Sequence, residues 1–185
     1  PSAEVEGLEA ARGVIIDWQA VGRMIAAGVE RCYARSPRLL SHLQSGLGRA
    51  LECRPAGIDV QALAARGSHI PGDSLRIGFL GGIGKHKGLH LLLDAFESLP
   101  KGQVTLQVHG GGTDRVYVDK MRARARDVGA DWRGAYRAQE VGEILGEIDV
   151  LVVPSLWVEN APFVIMEAHG AGCPVVVSRS EFTME

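Results

Sequence analysis

From Leu75 onward the apolar positions arrive in short bursts separated by longer amphipathic stretches. LRIGFL precedes HKGLHLLLDAFESL, VTLQVHG precedes RVYVDKMRARARDVG, and ADWRGAY precedes QEVGEILGEI. DVLVVPS, NAPFVIMEAHGAG and PVVVS complete the series. Bursts of β-branched residues alternating with helical patterns of about 10 to 15 residues predict βαβ units. The expected fold class is α/β: a Rossmann-like, doubly wound parallel sheet with helices on both faces. Leu151, Val152 and Val153, and likewise Val175, Val176 and Val177, are uninterrupted apolar runs, as central strands buried on both sides require.

The first fifty residues read differently. GLEAARGVIIDWQAVGRMIAAG predicts one or two helices, each weakened by about 1 kcal/mol at Gly7, Gly13, Gly22 and Gly28 relative to alanine. VERCYAR predicts a strand, and Ser36-Pro37 a helix start, because serine caps free amides and proline suits the first helical position. The helix RLLSHLQSGLG then ends near Gly46 or Gly48, and ALECR predicts a second strand. The division expected is a mostly helical segment over 1–54, a linker over 55–74 rich in small and turn-forming residues, and the sheet domain over 75–185.

Composition narrows the function classes. Twenty basic side chains against twenty-two acidic ones give a net charge of −2, so nucleic acid is not an expected partner. The hydrophobic fraction of 46% suits a packed core, and no apolar run approaches the roughly 20 residues that span a bilayer. The N-terminus PSAEVEGLEA lacks the pattern of a secretory signal, which leads to an expected cytoplasmic location. Cys32, Cys53 and Cys173 form no CxxC pair; buried, reduced thiols are expected, and no metal site.

The stretch FLGGIGKHKGLHLLLDAF raises the first chemical question. It is not a Walker A loop, since position 79 is Phe and position 86 is His. It is not a dinucleotide fingerprint either, since Lys87 stands where the third glycine belongs. A strand ending at Leu80, a glycine loop and a helix starting near Lys87 nonetheless present free amides to an anion, and Lys85 and Lys87 add point charges. A tight turn with two solvated lysines explains the same residues equally well.

The second constellation is VVPSLWVENAPFVIMEAHGAGCPVVVS. Seven residues separate Glu159 from Glu167, with Pro162 between them as the expected first helical residue. Glu159 then lies ahead of the helix and Glu167 inside it. Carboxylates on either side of a phosphate cradle are suited to the hydroxyls of a sugar and of a ribose.

Together these motifs resemble a known family. The Gly-rich loop with Lys87-Gly88, the strand ending His109-Gly110-Gly111-Gly112, DVLVVPS, and E-x7-E running into EAHGAGCPVVVS are similar to the donor-binding domain of retaining GT-B glycosyltransferases of family 4, the group 1 transferases. The similarity spans about Val29 to Ser178, since VERCYARSPRLLSHLQSGLG and CRPAGID resemble the end of that family's first domain and its interdomain linker.

The resemblance implies that Lys87 contacts the donor diphosphate, Glu167 the ribose hydroxyls and Glu159 the transferred sugar. Gly81 and Gly82 would allow close approach of the nucleotide, with the amides of Asn160, Ala161, Phe163 and Val164 near the phosphates and sugar. It also implies a nucleotide-diphosphate-sugar donor as substrate, no cofactor or metal, and a carbohydrate or lipid-linked acceptor. Many members carry arginine where this chain has Gly82; Lys85 is the candidate to replace that charge. His109 and His169 are read as structural, Trp157 as a core, rim or pocket aromatic, and Arg122, Arg124 and Arg126 as a solvated helix face.

On this reading the chain is an incomplete, donor-binding part of a hexosyl-type transferase, itself inactive in transfer. Self-association of exposed apolar faces is expected, and peripheral association of the full-length protein with the inner membrane. Two alternatives are another GT-B enzyme, such as a sugar-nucleotide epimerase, and a non-catalytic Rossmann-like interaction module.

Overall fold

The computed structural model describes residues 20–47, 49–63, 74–157, 159 and 162–179. The helix expected over the first nineteen residues, most of the 55–74 linker, Asn160 and Ala161 lie outside the described residues. The chain forms two compact units, Pro1–Ala56 and Gly57–Glu185.

In the first unit residues 20–28 are helical (α1), followed by β1 (Tyr33–Ala34), α2 (Pro37–Leu47) and β2 (Glu52–Cys53). The Ser36 hydroxyl oxygen accepts a hydrogen bond from the Leu39 amide at 3.2 Å, so the predicted cap and the Pro37 start both hold. The VERCYAR and ALECR bursts contribute only two strand residues each, paired in parallel as Tyr33↔Glu52 and Ala34↔Cys53. Cys32 and Cys53 are half-buried rather than buried, because this short pair offers little cover; only Cys173 has the expected burial, and none of the three is in a disulfide.

The second unit carries the sheet. Its strands are β3 (Leu75–Leu80), β4 (Val104–His109), β5 (Asp131–Gly134), β6 (Val150–Val153) and β7 (Val175–Val177). They lie in the order β5-β4-β3-β6-β7, all parallel. The helices are α3 (Leu89–Glu97), α4 (Arg115–Val128), α5 (Val141–Glu147) and α6 (Phe163–Gly170). Strand alternation sorts the core into two layers. Ile77, Phe79, Leu106 and Val108 pack with Leu89, Leu93, Met121 and Ala125 of α3 and α4. Leu80, Leu151 and Val153 pack with Ile144, Leu145 and Ala168 of α5 and α6 on the opposite face. This is the doubly wound arrangement expected from the sequence, and its strand order reverses between β3 and β6. In such sheets the crevice beyond the carboxyl ends at the reversal is where ligands bind.

Three local expectations need correction. Helix α3 begins at Leu89, not near Lys87: residues Lys85–Lys87 form a 3-10 turn closed by Gly88 at φ 71°. Helix α6 begins at Phe163, with Pro162 as its cap at ψ 102°, outside the helical range. Of the α4 arginines, Arg122 and Arg126 are solvated as expected, with side chains 58% and 81% exposed, but Arg124 is not. Arg124 bridges Asp94 at 3.0 Å and Glu97 at 2.6 Å on α3, and the Arg122 guanidinium lies 5.6 Å from the Trp132 ring centre.

At the amino ends of β3 and β6 the reversal is clamped by charge. Asp149, 8% exposed, accepts from the Arg76 amide at 2.7 Å and from its guanidinium at 3.1 and 3.2 Å, and returns its own amide to the Arg76 carbonyl. Asp149→Asn is expected to cost about 2 kcal/mol in a urea melt, because a largely buried guanidinium pair loses its charge partner. An unchanged midpoint would show the clamp to be energetically idle.

Candidate active site at the carboxyl edge of the sheet

The loops leaving β3 and β6 meet at the carboxyl edge. Three groups of the β6 loop converge on one carbonyl of the β3 loop. The His86 oxygen accepts from the Leu156 amide at 2.8 Å and the Trp157 amide at 3.3 Å, and the Ser155 hydroxyl oxygen lies 3.2 Å from it. The Trp157 ring, 60% exposed, meets the His86 ring edge-on at 6.0 Å, which places it on the rim of this junction.

Across that junction the two expected charged residues touch, although 72 positions separate them in sequence. Lys87 Nζ donates to Glu159 Oε1 at 2.6 Å. The same oxygen accepts from Ser155 Oγ at 2.7 Å. Glu159 is 8% exposed and Ser155 4%, whereas the Lys87 side chain retains 30%. The carboxylate is therefore held from inside by a hydroxyl and from the solvent side by a mobile cation, the geometry of charge-assisted hydrogen bonds.

A cleft of about 410 Å³ opens beside it, and Gly81, Gly82, Phe163, Val164, Glu167 and Tyr136 are among its walls. Its glycine wall comes from two strand ends: Gly81 donates to the His109 carbonyl at 3.0 Å and Ile83 to the Gly111 carbonyl at 2.7 Å. The side opposite is the first turn of α6, with Glu167 one turn in. The structure thus collects five predicted residues, Gly81, Gly82, Phe163, Val164 and Glu167, around one cleft, and joins Lys87 to Glu159 at the neighbouring junction. Asn160 and Ala161, in the segment connecting them, are outside the described residues.

Burial raises the Glu167 carboxyl above its ordinary value, and burial followed by the Glu167 charge raises the Tyr136 phenol. A carboxylate with a raised pKa opposes folding while it is charged and is relieved as pH falls into its titration range. Any ligand held by the ionised form should therefore weaken on acidification at a pH above the ordinary carboxylate range. Titrations of a nucleoside diphosphate between neutral and mildly acidic pH should show a larger loss in the native protein than in Glu167→Gln, where only the protonation of the ligand's own terminal phosphate contributes.

His109 has a structural place, as expected. It is 6% exposed, hydrogen-bonded to Gln107 at 3.1 Å, edge-on to Tyr136 at 6.3 Å, and burial lowers its pKa. His169 is exposed on α6. Lys85 is not among the walls of the Gly82 cleft; it lines a separate cavity of about 630 Å³ with His90, Tyr117, Lys120 and Arg124. That cavity is larger, but the Arg124 guanidinium in it is already engaged by Asp94 and Glu97. No group of three or more His, Cys, Asp or Glu side chains suited to a metal ion occurs among the described residues. Nor is any helix among them long and apolar enough to cross a membrane.

Sequence reasoning missed Ser155 and Tyr136. Both stand just beyond the carboxyl end of a strand, Ser155 two residues after β6 and Tyr136 two after β5, and that position was the available signal.

No curated protein matches the chain by sequence. Solved structures do resemble it in fold. Anabaena HepE in complex with UDP and glucose is 21% identical with a TM-score of 0.71, over 84% of this chain and 46% of that one. Sucrose-phosphate synthase from Thermosynechococcus elongatus is 20% identical with a TM-score of 0.75, over 90% and 46% respectively. TarM of S. aureus, in complex with fondaparinux, alpha-GlcNAc-glycerol and UDP, is 13% identical with a TM-score of 0.70, over 85% and 31%. The chain spans less than half the length of each. Its parallel sheet has the Rossmann-like form of the GT-B carboxyl-terminal domain. Residues 61–185, about two thirds of the sequence, match the family described as glycosyl transferases group 1, and the chain belongs to that family.

Proposed function

We propose that the chain is the donor-binding part of a retaining, family 4 transferase that moves a hexosyl group from a nucleoside-diphosphate sugar to a carbohydrate or lipid-linked acceptor. The observation that carries this reading is the 2.6 Å Lys87–Glu159 contact beside the Glu167 cleft, at the one reversal of the sheet. Lys87 neutralises the diphosphate, Glu167 accepts from ribose hydroxyls, and Glu159 accepts from hydroxyls of the sugar. Backbone amides at the start of α6 lie along the phosphates, and Gly81 and Gly82 admit the nucleotide. Stabilising the departing diphosphate with a cation and amides is the main contribution to catalysis. Glu159 acts in sugar positioning and not as a nucleophile. No metal or cofactor is needed in this scheme. UDP and glucose in Anabaena HepE, and UDP in TarM, support a nucleotide-sugar ligand for the fold.

The acceptor side is assigned to parts of the longer relatives that this chain does not span, so the chain by itself binds donor without transferring it. Calorimetric titration with UDP, GDP and ADP tests the reading. One of the three should bind, and Glu167→Ala should weaken that binding about tenfold, the worth of one charged hydrogen-bond acceptor, without lowering the melt. Equal affinity in Glu167→Ala, or no binding at all, would leave the interaction-module alternative standing.

A further inference from the structure

Glu159 Oε1 has two donors, and they differ in what a ligand does to them. Lys87 is a flexible, partly exposed cation, and under the donor reading it is also the group that meets the diphosphate. A diphosphate carries more charge than one carboxylate, so its arrival draws the ammonium away from Glu159. Losing the cation would leave a carboxylate only 8% exposed without its main partner, a state that favours reorientation toward solvent.

Ser155 is placed to prevent this. Its hydroxyl is 2.7 Å from the same oxygen, it is 4% exposed, and it sits in the strand-end turn whose next two amides, those of Leu156 and Trp157, are tied to the His86 carbonyl. The hydroxyl also lies 3.2 Å from that carbonyl, but its single proton goes to the nearer, charged acceptor.

We propose that Ser155 is a positioning residue for sugar recognition, holding the Glu159 carboxylate in its inward orientation after Lys87 has been handed to the diphosphate. The inference rests on the donor reading and adds a division of labour: Lys87 acts on the diphosphate, Ser155 acts only on the sugar, and only through Glu159. Its effect should therefore be absent for a nucleoside diphosphate and present for the corresponding nucleotide sugar.

The test compares the affinity of UDP, GDP and ADP with that of UDP-glucose, GDP-glucose and ADP-glucose, using whichever pair binds the native protein. Ser155→Ala should leave the diphosphate affinity within twofold and lower the sugar-nucleotide affinity about tenfold. Ser155→Thr, which keeps the hydroxyl, should restore most of the difference. Glu159→Gln provides the reference for losing the carboxylate, and Ser155→Ala combined with it should lower the affinity no further. A loss shared equally by both ligands in Ser155→Ala would mark the residue as merely structural and overturn the proposal. A selective loss in Glu159→Gln with none in Ser155→Ala would overturn it while sparing the donor reading. Failure of every ligand to bind the native protein would overturn both.

Discussion

Gly88→Ala should destabilise the sheet unit by about 4 kcal/mol, read as a lowered urea midpoint. Gly88 joins the Lys85–Lys87 turn to α3 at φ 71°, ψ 15°, the left-handed region, where a side chain costs about 1 to 2 kcal/mol. An added Cβ would also stand 1.9 Å from the Pro154 carbonyl oxygen, inside any real contact distance. Neither atom can move cheaply, since both belong to backbone at the junction of the β3 and β6 loops. Gly102→Ala separates the two effects. Gly102 has φ 85° but open space around it, so only the conformational cost, about 1 kcal/mol, should appear there. Equal losses at the two positions would mean that the β3 and β6 loops are not in the close approach described. The larger loss at Gly88 would also be accompanied by weakened ligand binding, because displacing Pro154 displaces Ser155.

Lys87→Ala should lower nucleoside diphosphate affinity about 30-fold, close to 2 kcal/mol, the usual worth of a charged hydrogen bond to phosphate in a partly desolvated cleft. The variant should also be less stable without ligand, because Glu159 keeps its burial and loses its cation. These consequences have separate origins and should separate experimentally. Adding Glu159→Gln to Lys87→Ala should recover the stability, by removing the unpaired charge, and should leave the diphosphate affinity low. Lys87→Arg should hold part of the affinity, with charge retained but placed on a planar fork instead of a point. A single Lys87→Ala variant with native affinity would remove Lys87 from the diphosphate, whatever its bond to Glu159.

The sequence reading succeeded where one short segment decides the outcome. The LVV run became β6 with only a small boundary shift, because a strand covered on both faces tolerates no polar position. The VVV run became β7, but at the end of the strand order and with Val176 55% exposed, so the central strand expected there is corrected: an apolar run alone does not say how many neighbours a strand has. Ser36-Pro37 became a capped helix start because both residue types act within one turn. The misreadings lie where several preferences compete locally. KHKGLH has helix-forming residues throughout, yet the Gly88 conformation and the approach of Pro154, 66 residues away, divide it into a 3-10 turn and a later helix. Arg124 of α4 read as solvated because its partners, Asp94 and Glu97, lie on another element.

By itself the sequence determined the α/β alternation, the central strands and the candidate chemistry of Lys87, Glu159 and Glu167, since periodicity and residue type are properties of short segments. Only the tertiary structure decided which charges meet. It gave Glu159 both Lys87 and Ser155, sent Lys85 to a different cavity, and set Tyr136 beside Glu167. The physical reason is the strand order: with β6 beside β3, loops more than sixty residues apart become neighbours, and hydrogen bonds of that span leave no periodic trace in the chain.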